Sequence, residues 1–149
     1  MMEAHRTSAW RGDYEVTLGG QPFATYARST WRGGGVLDVT GRRYELRSNL
    51  WATSYTLVDE GGVAVVSAAR VGRKEWTVEA DSTTHQFRRA SMTRMEHELV
   101  VQGVTTGSLR RTSMWRGDAV ADLPGLPPLV ALFALVVVLT SWDMASAAS

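Results

Sequence analysis

The residues in this chain best suited to recognising a charged ligand are three arginine doublets, Arg42-Arg43, Arg88-Arg89 and Arg110-Arg111. A guanidinium presents a planar fork of donors that matches a phosphate or carboxylate at two points at once. Successive side chains on a strand point to opposite faces, so a doublet on a strand sends one arginine outward. Three such strands lying side by side would gather an anion site suited to phosphate. Strands lying apart would leave solvated charges that keep the protein soluble.

Groups for other chemistry are sparse. The histidines are His5, His85 and His97. His97 sits between Glu96 and Glu98, but on a strand those glutamates face away from it, so the run cannot form a metal set by itself. With no cysteine there is no thiolate ligand, disulfide or cysteine nucleophile. Gly33 to Gly35 is not a dinucleotide loop, and Gly72-Arg73-Lys74 lacks the upstream glycine and following hydroxyl residue of a phosphate loop. A nucleophile elbow is also missing. Carboxylates paired for acid and base work would have to come from distant strands. The expectation is a protein that is not an enzyme, with no catalytic residue, metal site or cofactor. Lys+Arg 16 against Asp+Glu 15 leaves a net charge of +1, short of the basic balance of a nucleic-acid binder.

The elements that must position the arginines are read from alternation. Tyr14 to Leu18, Arg42 to Arg47, Glu75 to Ala80 and Met95 to Gln102 alternate apolar and polar residues with the period of a half-buried strand, and Phe23 to Ala27 is read as a strand with Phe23 and Thr25 on one face against Ala24 and Tyr26 on the other. Further strands are expected at Thr30 to Arg32, Val36 to Val39, Leu50 to Val58, Thr84 to Ala90 and Ser108 to Trp115. Asp59-Glu60-Gly61-Gly62 is the clearest hairpin signal. Its return arm, Val63 to Ala69, reads as buried on both faces. Ala119 to Asp122 is expected to be a short helical turn. WRG recurs at Trp10, Trp31 and Trp115, twice as WRGD, and reads as strand-end tryptophan followed by a glycine turn rather than as an adhesion motif or a repeat.

Leu129 to Leu139 is unbroken apolar sequence, hydrophobic in every direction around a helix. At 1.5 Å per residue, Leu129 to Trp142 spans roughly 21 Å against about 30 Å of bilayer hydrocarbon. That is long for a core element and short for a membrane span. A wide barrel has a lumen to fill, and a helix apolar all round is a natural plug. The expected fold is therefore mainly β, a closed antiparallel barrel of about 10 to 12 strands around a buried hydrophobic C-terminal helix. In domain terms, 1–9 is expected to be a flexible tail, 10–142 the barrel with its helix at about 128–142, and 143–149 a second tail.

The LVDEGGVAVV hairpin from Leu57, the EWTVEA strand from Glu75 and the closing DLPGLPPLVALFALVVVLTSW from Asp122 together resemble the tubby C-terminal-like superfamily. That superfamily includes the LURP-one-related proteins and the phospholipid scramblases. The resemblance implies a barrel wrapped around a hydrophobic C-terminal helix and a basic pocket for phosphoinositides. The calcium loop and palmitoylated cysteines of the scramblases are missing, which argues against scramblase activity. The expected function is a binding or scaffold module for an anionic phospholipid headgroup or membrane surface, not for nucleic acid. Met1 to Trp10 lacks the apolar core of a secretory signal, so a cytoplasmic, membrane-peripheral location is expected. The alternative is a tail-anchored protein with a cytosolic β domain and a transmembrane C-terminal helix; the lack of Lys or Arg after Arg116 suits that orientation.

Overall fold

The structure, a computed structural model, describes residues 1–8, 12–29, 34–90, 95–113 and 115–148, with side chains through 145 at the C-terminal end. The strand expected at Thr30 to Arg32 and the WRG tryptophans Trp10 and Trp31 lie outside the described residues. Twelve antiparallel strands close into a barrel: β1 (Met2–Ser8), β2 (Asp13–Leu18), β3 (Gln21–Arg28), β4 (Gly35–Val39), β5 (Arg42–Ser48), β6 (Tyr55–Val58), β7 (Ala64–Ala69), β8 (Glu75–Ala80), β9 (Thr83–Arg89), β10 (Glu96–Val101), β11 (Val104–Arg111) and β12 (Ala119–Asp122). Each strand pairs with its neighbours in sequence, and β1 pairs with β12 to complete the ring. Among the described residues a single helix, α1 (Pro128–Ala148), follows.

Alternation sets the inner wall. Tyr14 and Val16, Leu37, Leu46, Leu57, Trp76 and Val78, Phe87, Leu99 and Leu109 all face inward and are buried, while their strand neighbours, the buried Val58 apart, are turned toward the outer face. The helix supplies the other half of the core: every residue from Val130 to Leu139 is buried. Each large apolar side chain removed from water in this way contributes about 1.5–3 kcal/mol, and the wall residues lose their cover without it. The helix backbone runs closest to β12, β7 and β8. The inner faces there carry Ala119 and Ala121, Ala68, and Ala80, whose small side chains let two backbones approach.

Entry to the lumen is a turn written in the sequence. Pro124 and Gly125 are its central residues, Gly125 has φ 87°, and Leu126 N–H donates to the Leu123 carbonyl at 3.3 Å. That is the arrangement of a type II turn, which takes proline first and glycine second. Pro128 then opens the helix, where a missing N–H costs nothing.

Five local expectations are corrected. Met2–Ser8 is a strand, not a tail, paired on both sides as Met2↔Leu18 and Met2↔Ala121. Ala119–Asp122 is β12, not a helical turn; its alternation is too short to register by itself, and its partners β1 and β11 hold it extended. Leu50 to Ser54 is loop, because Asn49 closes a turn by accepting from the backbone N–H groups of Thr53 and Ser54. In β7 only Val66 and Ala68 are buried, so one face is covered. Finally α1 continues past Trp142 to Ala148, and Asp143, assigned to a tail, is buried.

Candidate functional site at the loop end of the barrel

The two ends of the barrel differ. At one, the hairpin end, strands are joined by short turns at 19–20, 40–41, 59–63, 81–82 and 102–103, and the chain enters the helix. At the other, the loop end, the connections are longer and the helix finishes. The charged residues in the hairpin-end turns are all acidic: Asp59, Glu60 and Asp81. The described loop-end connections hold Arg70, Arg73, Lys74 and Arg116 against Asp118 alone. The connections at the two ends thus differ in charge, although Arg42 and Arg43 adjoin the acidic turns at the start of β5, and Asp13, Glu75 and Glu96 begin strands at the loop end.

Loop-end chemistry begins inside the wall. Asp143 of α1 accepts hydrogen bonds from Tyr14 Oη at 2.8 Å and from Arg111 Nη2 at 3.3 Å, and also pairs with Arg6. Its side chain is 8% exposed and that of Arg111 5%, so two guanidiniums share one carboxylate in a nearly dry setting. The Arg111 guanidinium also lies 5.2 Å from the centre of the Trp142 ring. Burial, and then the Asp143 charge, raises the Tyr14 pKa, and burial pushes Tyr26 up to about 12. Both hydroxyls therefore stay protonated; Tyr14 serves as a donor, and Tyr26 exchanges a 3.2 Å hydrogen bond with Thr140 on the helix.

His97 also lies against Trp142. Its Nδ1 accepts from Trp76 Nε1 at 3.1 Å and its ring stacks on Trp142, centroids 5.9 Å apart. Burial, then the charge of Arg89, lowers its pKa to about 4. Glu98 is turned to the outer face, where it pairs with Arg88 at 3.2 Å and hydrogen-bonds Thr105. Among the described residues no three His, Asp or Glu side chains converge as a metal set.

The arginine doublets do not gather. Arg42 and Arg43 start β5 at the hairpin end, and β5 lies four strands from β9. Strands β9 and β11 flank β10, but each splits its doublet between faces. Arg88 is outside with Glu98, and Arg110 is outside and exposed. Arg111 is inside on Asp143, and Arg89 borders a cavity beside His97. Alternation, which sends one arginine of each pair outward, is the physical reason that six positions cannot form one site.

Sequence reasoning missed the rim. Leu50, Trp51 and Trp115 are 89%, 79% and 97% exposed, all on loop-end connections. The Asn49 turn pushes out Leu50 and Trp51, with Ala52 at φ 55°. Ser113 holds the other: Arg116 N–H donates to its hydroxyl and Gly117 N–H to its carbonyl. Going round the ring, β6 is five places from β11 and β5 is five from β12, so the two tryptophans stand on opposite sides of the mouth. Their signal was tryptophan two residues from an asparagine (Asn49) or a glycine (Gly117), which pattern alone reads as a strand end. The fold and site define a closed β-barrel plugged by its own helix, with one basic, aromatic rim. No protein-family model, curated protein or solved structure matches the chain.

Proposed function

We propose that the protein is a non-catalytic binding module that docks its loop end on anionic membrane surfaces, in keeping with its resemblance to the tubby C-terminal-like superfamily. The observation behind this reading is the rim itself: Leu50, Trp51 and Trp115 exposed among Arg70, Arg73, Lys74 and Arg116. Indole rings settle at the headgroup level, where an apolar body and one polar N–H are both satisfied. Bases nearby add about 1 kcal/mol each against an anionic leaflet. Aromatic groups on opposite sides of the mouth would set the barrel axis upright on the surface, with the hairpin end facing away.

The helix supports a peripheral role over an anchored one. Spanning a bilayer would require Val130 to Leu139 to leave a barrel whose wall residues they cover. Co-sedimentation with phosphatidylcholine vesicles, with and without phosphatidylserine, tests the reading. Binding confined to anionic vesicles and weakened by salt is expected; equal absence from both vesicle types would refute it.

A further inference from the structure

The pairing of β1 with β12 stops short of the rim. Its last rung is Ala4↔Ala119, and beyond it the two chains are joined by side chains. His5 and Arg6 are consecutive on β1 and point to opposite faces. On the lumen side the Arg6 guanidinium lies against Gly117: a Cβ at Gly117 would fall 2.5 Å from its Cζ and 2.6 Å from its Nε. On the outer side His5 Nδ1 lies 3.6 Å from the Asp118 carboxylate. One strand end therefore grips two consecutive residues of the connection that carries Trp115, one from each face.

The inner half of this grip is held from behind. Arg6 donates to Tyr14 Oη at 3.0 Å, pairs with Asp143, and lies 5.6 Å from the centre of the Tyr14 ring. A guanidinium pressed aside by a new methyl group would have to abandon that buried ion pair. Gly117, buried and with φ 75°, permits the close approach because it has no Cβ and pays no penalty for a positive φ. The other WRGD uses its glycine in the same way. Gly12, at φ 70°, would place a Cβ 3.1 Å from Arg28 Cδ and 3.3 Å from Asp143 Oδ2. The glycine of the recurring motif is thus a seat for an arginine at the mouth of the barrel.

We infer that Arg6 is a positioning residue for docking: by seating Gly117, with His5 against Asp118, it presents Trp115 at one ordered place on the rim. Ser113 shapes the turn from within, whereas Arg6 and His5 tie it to the neighbouring strand. A tryptophan already ordered where it meets a surface loses less conformational freedom on binding than one carried by a loose loop. The consequence for binding rests on the docking reading above; the ordering of the turn does not.

Nitrogen-15 relaxation of the full chain and co-sedimentation with phosphatidylserine vesicles read order and docking in the same variants. In Gly117→Ala the backbone order parameters of Trp115 and Arg116 should fall from about 0.85 to below about 0.6, and vesicle affinity should drop as far as in Trp115→Ala. Gly20→Ala is the control: Gly20 also has a positive φ, 82°, but a Cβ there would meet nothing within 4 Å, so it should change neither. An ammonium is more compact than a guanidinium. Adding Arg6→Lys to Gly117→Ala should therefore make room for the methyl group and restore both readouts, a rescue that backbone strain alone would not give. Should the double variant fail to fold, nuclear Overhauser contacts between the Gly117 Hα atoms and the Arg6 side chain of the unaltered protein supply the second measurement. Unchanged order and affinity in Gly117→Ala, no rescue by Arg6→Lys, or absence of those contacts would overturn the inference. Vesicles ignored by the unaltered protein would defeat docking alone, and relaxation would still decide whether Arg6 orders the turn.

Discussion

Tyr14, at the loop end of β2, donates its hydroxyl hydrogen to Asp143 of α1 at 2.8 Å, joining residues 129 positions apart. The bond fastens the far end of the helix to the wall, and Arg6 and Arg111 meet the same carboxylate from β1 and β11. Hydrophobic burial holds the helix in the lumen without fixing its depth. A buried ion-pair cluster at one end does fix it, since sliding by a turn would strand two guanidiniums in a dry place.

Replacing Asp143 by alanine should therefore cost far more than an exposed charge. Removal of the carboxylate leaves Arg6 and Arg111 without compensation, and about 3–5 kcal/mol of stability should be lost. Tyr14→Phe, which deletes one donor and keeps both ion pairs, should cost about 1 kcal/mol. Urea denaturation curves of both variants give the comparison.

Deleting Leu126 to Ser149 should abolish cooperative folding, because the inner wall would face an empty lumen. Circular dichroism during thermal scanning would show a broad, featureless change. A soluble truncated protein with a sharp transition would mean that the strands pack without the helix.

Gly107 of β11 is predicted to resist substitution. A Cβ there would lie 2.5 Å from the Asp122 carbonyl oxygen, where the chain leaves β12 for the turn into the lumen. Gly107→Ala must push that backbone away, and a loss of about 1–3 kcal/mol is expected from overpacking, read from the shift in denaturation midpoint.

Stability should depend on pH through His97. An unfolded imidazole binds its proton near pH 6.5, whereas the folded one refuses it until about 4. Between those values the unfolded chain holds more protons, so stability falls as pH drops through this window and is level above it. The full effect is about 3 kcal/mol. Denaturation at pH 7 and pH 4.5 measures the slope, and His97→Gln should flatten it.

At the rim, Arg70→Ser and Lys74→Ser should each weaken binding to phosphatidylserine vesicles about fivefold, as about 1 kcal/mol per base implies. Trp51→Ala with Trp115→Ala should remove the blue shift of tryptophan emission on vesicle addition. Since both rings are exposed, the melting temperature should hold.

Much of this molecule was legible along the chain. Alternation placed the central strands, the DEGG hairpin marked a reversal, and an all-round apolar run before Trp142 called for burial on every side. Those features are local, written within a few residues. The strands that close the ring were not legible: Met2–Ser8 and Ala119–Asp122 are extended because each lies against the other, as Met2↔Ala121 and Ala4↔Ala119, more than a hundred positions away. The same distance hid the site. Alternation could say that one arginine of each doublet faces inward. Only the closed ring decided that Arg111 finds Asp143 while Arg89 finds the cavity beside His97, and that Trp51 and Trp115 stand on one rim, because strand order around a barrel is set by pairings no single stretch of sequence contains.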